Sequence, residues 1–191
     1  MELILASQSP RRREIMNLMG LPFQTEVCTE SEQIPSGLSA SETVMHLARQ
    51  KAAFALRLHP DACVIGADTI VYLDGEILGK PKSPEEAVQM LMRMQGKTHT
   101  VYTGIAVLKD GYSDVRYDAT TVRFRPMREK EIRWYVSTGE PLDKAGSYGV
   151  QGYGCVFVDS IEGNYFTVVG LTAPILYEML IKANAITEDR R

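Results

Sequence analysis

Cysteine is scarce in this chain: three in 191 residues, Cys28, Cys63 and Cys155, far apart and with no CxxC pair. An odd, scattered set excludes a disulfide framework and suits a reducing cytosol. Histidine is equally rare. His46, His59 and His99 show neither HxxxH nor HExxH spacing, so a zinc site has little support. No apolar run approaches the roughly 18 residues that span a bilayer. The opening MELILASQSPRRR has too short an apolar part, and its charges on the wrong side, for a signal peptide. There is no basic excess: Lys+Arg number 21 against Asp+Glu 24, a formal net charge of −3. That argues against a protein that coats nucleic acid, while leaving room for a small anion held by a local arginine cluster. Internal repeats, low-complexity tracts and Pro/Ser linkers are also missing. The chain therefore reads as a soluble, cytoplasmic protein of one domain, residues 1–191, or two small lobes sharing a cleft, with no membrane and no stable nucleic acid among its partners.

What is present is the composition of a globular enzyme-sized fold. Hydrophobic residues make up 45% and charged residues 24%, close to the soluble average. A chain of this length buries roughly 70% of its unfolded surface and needs no metal or disulfide to fold. Leu3 to Ala6 reads as a strand, followed by a helix from Ser9-Pro10 that ends at Gly20 and Pro22. Ser39-Ala-Ser-Glu42 reads as a capping box for a second helix carrying Val44, Leu47, Ala48 and Lys51. Cys63 to Leu73 is an apolar strand run closed by an Asp74-Gly75 turn. Ser83-Pro84-Glu85-Glu86 starts a third helix with Val88, Leu91 and Met92 on its apolar side, and the Met90–Met94 stretch reads as core packing. Thr98–Leu108 and Tyr117–Phe124 read as strands joined across Asp110-Gly111, and Glu129–Val136 as a helix. A glycine-rich loop from Asp143 to Gly154, a hairpin turning at Glu162-Gly163-Asn164 and a last helix after Pro174 complete the pass, with the tail Glu188–Arg191 expected to fray. Alternation early and hairpins late predict an α/β class, a mixed sheet flanked by helices.

Arg11-Arg12-Arg13 stands in the first turn of a helix, where cations oppose the helix dipole by a few tenths of a kcal/mol each (about 0.3 or more). Three arginines there make sense if an anion is bound by them, the free N–H groups and the hydroxyls of Ser7 and Ser9. The alternative is a solvated charge run. Successive helical residues diverge by about 100°, so one arginine must point away, and Arg13 is the expected bystander. Asp68 lies inside the apolar run Val64–Val71, and a carboxylate buried there calls for a partner, a metal or a reaction, unless it merely caps a turn at a strand end. Thr69 is strand filler or a ligand contact. Lys51, Lys80 and Glu32, taken singly, read as surface residues. In Asp143–Gly152, Gly146, Gly149 and Gly152 allow positive φ and close backbone approach to a ligand, and Gln151 offers a paired donor and acceptor for a base edge. Neither a P-loop nor a dinucleotide fingerprint is present.

Five ordered motifs, Leu5-Ala-Ser-Gln-Ser-Pro-Arg-Arg12, Ala48-Arg-Gln-Lys51, Gly66-Ala-Asp-Thr69, Leu78-Gly-Lys-Pro81 and Asp143–Gly152, cover nearly the whole chain. Together they make it resemble the Maf family of nucleoside triphosphate pyrophosphatases, related in fold to the inosine triphosphate pyrophosphatases. The last motif is similar to the subfamily acting on dTTP and UTP. The resemblance implies a two-lobed α/β fold with a central cleft, and hydrolysis of a nucleoside triphosphate to the monophosphate plus pyrophosphate. It also implies dependence on a divalent cation, Mg2+ or Mn2+. By motif match, Asp68 would be the general base. Arg12, Thr69 and Gln151 would set nucleotide preference; Ser7, Arg11, Lys51 and Lys80 would hold the triphosphate; Glu32 would assist Asp68 at the metal. A homodimer is compatible with the family. Two other readings compete: a pyrophosphatase for 7-methyl-GTP or modified purines, and a non-catalytic nucleotide-binding regulator of cell division.

Overall fold

The computed structural model describes residues 1–187; the tail at 188–191, expected to fray, lies outside the described residues. In chain order the elements are β1 (Leu3–Ala6), α1 (Pro10–Leu18), β2 (Gln24–Thr25), α2 (Ala40–Leu58), β3 (Cys63–Leu73), β4 (Glu76–Leu78), α3 (Pro84–Met94), β5 (Thr98–Lys109) and β6 (Tyr112–Phe124). There follow α4 (Glu129–Ser137), β7 (Val158–Glu162), α5 (Tyr165–Val169) and α6 (Ala173–Lys182). The strands form a seven-stranded sheet in the order β2-β1-β3-β5-β6-β7, with β4 paired to β3. β1 runs parallel to β2 and β3, whereas β3–β4 and β6–β7 are antiparallel. The sheet is thus mixed, as the sequence predicts.

The chain divides into two compact units, the first comprising Met1–Asp68, Thr103–Asp118 and the segment from Gly170, the second Thr69–Tyr102 and Ala119–Val169. In the first unit, α2 begins with the predicted capping box. Ser39 Oγ accepts from the Glu42 amide at 3.3 Å, and Glu42 Oε2 accepts from the Ser39 amide at 2.8 Å, a reciprocal pair contributing about 1 kcal/mol. The face of α2 turned to the sheet is built of Ala48, Ala52 and Ala55, which join Ile4, Val64, Ala106 and Leu108 in one buried cluster. Small side chains alone do not explain so close an approach. A Cβ on Gly66 of β3 would stand 2.2 Å from the Ala48 carbonyl oxygen, and one on Gly104 of β5 2.2 Å from that of Val44. Two glycines on two strands thus seat one turn of the helix, Val44 to Ala48, directly on the sheet.

In the second unit the core gathers Leu73, Leu78, Leu91, Met94, Phe124, Ile132, Tyr135, Tyr148 and Phe157. Helix α3 buries Ala87, Val88, Leu91 and Met94, and Met92 is exposed. The sequence predicts an apolar side carrying Val88, Leu91 and Met92. The buried stripe instead follows Ala87, Leu91 and Met94, which rotates Met92 out and leaves Met90 half-buried. The hairpin expected at Glu162-Gly163-Asn164 is also corrected. β7 ends at Glu162 and no strand returns, because Asn164 Oδ1 accepts from the Phe166 amide at 2.9 Å and starts α5 instead. Among the described residues no helix is long and apolar enough to cross a membrane.

Candidate functional site

Parallel pairing of β1 with β3 brings Ala6, the last residue of β1, opposite Gly66. β3 continues beyond that point, so Ser7 leaves the end of β1 while Asp68 lies two residues further along β3. The carboxyl ends of parallel strands are where open α/β sheets bind ligands. Ser7 is buried, and its Oγ accepts from the Ser9 amide and from Arg12 Nη1, both at 3.2 Å. Ser9 is the N-cap residue of α1 but makes no side-chain cap there; its amide is turned back to Ser7. Arg12 also donates through Nε to the Gly170 carbonyl at 2.8 Å. Burial pulls its guanidinium below its ordinary pKa, with the charge of Asp68 opposing that shift, Arg11 adding to it and Glu32 opposing it in turn. Arg13 is exposed.

Asp68 is only 9% exposed, so it is neither solvated nor a turn cap at a strand end; five further residues of β3 follow it. Its partner is Lys51 of α2, whose Nζ lies 2.5 Å from Asp68 Oδ1 and 2.9 Å from Glu32 Oε1. Lys51 is therefore no surface lysine: 17% of its side chain is exposed. The loop carrying Glu32 is tied to α2 on both sides. Gln50 donates to the Ser31 carbonyl at 3.0 Å and accepts from the Gln33 amide at 3.3 Å, and His46 Nε2 lies 2.7 Å from the Gln33 carbonyl. Five sequence-predicted residues, Ser7, Arg12, Glu32, Lys51 and Asp68, are thus linked by direct contact or by charge, with Arg11 coupled to Arg12.

The other three predicted residues belong to the second unit. Thr69 follows Asp68 in β3 and is half-buried; Lys80, just after β4, and Gln151, in the glycine-rich loop, are exposed. The Lys80 segment is joined to that loop by a bond from the Gly146 amide to the Gly79 carbonyl, 3.0 Å. Of the loop glycines, Gly146 has φ +66° and abuts Val71. Gly149 and Gly152 do not have positive φ, and a Cβ on either would strike Lys144 or Glu140 of the protein itself. Their smallness lets the loop wrap a protein carboxylate, and the positive φ expected of these glycines is found at Gly146 but not at Gly149 or Gly152. Tyr135 and Glu140, which hold this loop, escaped the sequence reading. The only local signal was an acidic residue in Gly139-Glu-Pro141 just ahead of the glycines. Gly104 and the paired Gln50 and His46 were missed for the same reason: their partners are remote in sequence.

Two carboxylates bridged by one ammonium, with Arg12 alongside, make a mixed-charge site suited to phosphate. Among the described residues no group of three or more His, Cys, Asp or Glu is placed to hold a metal ion by itself. Asp68 and Glu32 nevertheless fit a hard divalent cation of the Mg2+ kind, which is bound through one or two carboxylates and completed by substrate phosphates and water.

Strand order and site together define an α/β protein with a phosphate-suited cluster at the ends of parallel strands. The architecture is shared with a HAM1 protein from Coxiella burnetii, at a TM-score of 0.53 and 15% identity, covering 95% of this chain and 99% of that one. Residues 2–183 match the model of the Maf-like protein family, and the chain belongs to that family. It is 51% identical over 170 residues to a dTTP/UTP pyrophosphatase of Bacillus pumilus, covering 89% of this chain and 90% of that protein. It is 46% identical over 185 residues to a dTTP/UTP pyrophosphatase of Bacillus velezensis, covering 95% and 98%.

Proposed function

We propose that this protein hydrolyses dTTP and UTP to the monophosphate and pyrophosphate, with Asp68 as general base. The observation that carries the reading is the buried Asp68 carboxylate, oriented by Lys51 at 2.5 Å and flanked by Arg12. The relatives named dTTP/UTP pyrophosphatase supply the substrate class.

In the reaction, a water oxygen attacks the α-phosphorus while Asp68 accepts its proton. The bond from that phosphorus to the oxygen bridging to the β-phosphate breaks, and pyrophosphate leaves with the electron pair. Most of the work is positioning and charge stabilisation. Arg11, Lys51, Lys80 and the Ser7 hydroxyl hold the roughly four negative charges of the triphosphate. Arg12, Thr69 and Gln151 select the base and sugar. A divalent cation, Mg2+ or Mn2+, held by Asp68 and Glu32, supplies Lewis-acid polarisation of the phosphate oxygens when bound. A cytoplasmic location and a homodimer complete the reading; the unpaired cysteines accord with the former.

The test is pyrophosphate release from dTTP, UTP, CTP, dATP, GTP and 7-methyl-GTP, with Mg2+ or Mn2+ and with chelator. Metal-dependent release from dTTP and UTP is expected, abolished in Asp68→Asn. Activity confined to 7-methyl-GTP or purines would overturn the substrate class. A folded protein that binds nucleotide and turns over none would overturn the enzyme in favour of a regulator.

A further inference from the structure

The glycine-rich loop is built around a single carboxylate. Glu140 Oε2 accepts from the Tyr153 amide at 2.7 Å, and Oε1 accepts from the Gly154 amide at 3.2 Å and from the Tyr135 hydroxyl at 2.8 Å. The same hydroxyl accepts from the Gly149 amide at 3.0 Å. Gln151 therefore sits between two anchor points, Gly149 on one side and Tyr153-Gly154 on the other, both fastened to one phenol–carboxylate pair. Such charge-assisted bonds are about twice as strong as neutral ones. Tyr135 is fully buried and Gln151 exposed, so the anchor is internal and the residue it holds is presented outward.

The glycines belong to the same device. A Cβ on Gly152 would stand 2.2 Å from Glu140 Oε2, and one on Gly154 2.7 Å from the Tyr135 oxygen. A flexible, glycine-rich loop that must read a base edge loses discrimination if it samples many conformers, because the donor and acceptor of Gln151 then meet right and wrong bases alike. We propose that Glu140, acting with Tyr135, is a positioning residue for base discrimination: it fixes the Gln151 loop in one conformation and touches no part of the nucleotide itself. This rests on the pyrophosphatase reading above, and on Gln151 as the base-reading residue within it.

The experiment compares kcat/KM for UTP and for GTP in the native protein, Glu140→Gln, Tyr135→Phe, Gln151→Ala and the Glu140→Gln/Gln151→Ala double variant, alongside amide hydrogen exchange at Gly149, Tyr153 and Gly154. Both anchor variants are expected to lower the UTP-to-GTP ratio about tenfold or more, and to speed exchange at the three amides while melting as one cooperative unit. In the Gln151→Ala background, Glu140→Gln should change the ratio less than twofold, since the loop then has nothing left to present. Tyr135→Phe keeps the proposal falsifiable should Glu140→Gln not fold. An unchanged ratio in the folded anchor variants overturns the proposal, as does a drop in the double variant that multiplies that of Gln151→Ala. A native protein with no turnover of any triphosphate overturns the pyrophosphatase reading and this one with it, whereas an active native protein with insensitive anchor variants overturns this one alone.

Discussion

Lys51 and Asp68, 17 residues apart in the chain, meet with 2.5 Å between Nζ and Oδ1. The pair joins the helix α2 to the strand β3, and the same ammonium reaches Glu32 at 2.9 Å. One cation therefore orders both carboxylates of the candidate site.

Removing that cation should be costly in two ways. Lys51→Met leaves Asp68 buried without its counter-charge, and the chain is expected to lose about 2–3 kcal/mol in urea unfolding at pH 7, somewhat less than for a fully enclosed pair. Turnover should fall by at least about a hundredfold, because the carboxylate is no longer oriented and the proposed phosphate contact is gone. A variant as stable as the native chain would contradict the role given to the pair.

Asp68→Asn keeps the shape of the side chain and still accepts from Lys51. Its unfolding midpoint should stay within a few degrees of the native value, while pyrophosphate release drops by about a thousandfold or more. Circular dichroism melts and a pyrophosphate assay measure the two quantities on the same sample.

Gly66→Ala tests the seat of α2. The new Cβ would lie 2.2 Å from the Ala48 carbonyl oxygen and 2.9 Å from the Ala52 amide nitrogen, both backbone atoms that cannot rotate away. A destabilisation of about 3 kcal/mol is expected. Activity should fall in step with displacement of Lys51, three residues beyond Ala48. The same substitution at Gly79, whose Cβ meets nothing within 4 Å, should change stability by less than about 0.5 kcal/mol.

Arg12→Lys retains a positive charge but cannot keep both bonds, to Ser7 Oγ and to the Gly170 carbonyl. KM for dTTP and UTP is expected to rise about tenfold or more, because a flexible ammonium replaces a planar guanidinium held at two points. Isothermal titration with a non-hydrolysable UTP analogue reads the loss without interference from turnover.

His99 sets a pH limit on the fold. It is 2% exposed, its Nε2 pairs with the Tyr148 hydroxyl at 2.8 Å, and its Nδ1 has no partner. Burial pushes its pKa down to about 4 from 6.5. The unfolded chain thus takes up a proton in a range where the folded chain does not, so stability is full above pH 6.5 and declines as pH falls toward 4. Between pH 7.5 and 5 the loss from this residue is about 2 kcal/mol. His99→Gln should flatten that part of the urea-unfolding profile; an unaltered slope would assign it to other groups.

The sequence by itself determined the features whose partners lie within about one turn or one strand. The capping box of Ser39 and Glu42, the mixed sheet, the demand of Asp68 for a partner and the position of three arginines at a helix start all follow from local hydrogen bonding, propensity and the energetics of burial. The family resemblance also named nine candidate residues, five of which the structure links in the first unit. Only the tertiary structure decided which cation answers Asp68, that Gly66 and Gly104 exist to admit the backbone of α2, that Met92 faces outward, and that the loop glycines enclose Glu140. Each of these depends on the register of strands and the rotation of a helix about its axis. A shift of one residue along a strand, or of about 100° around a helix, would exchange the partners while leaving every local signal in the sequence unchanged.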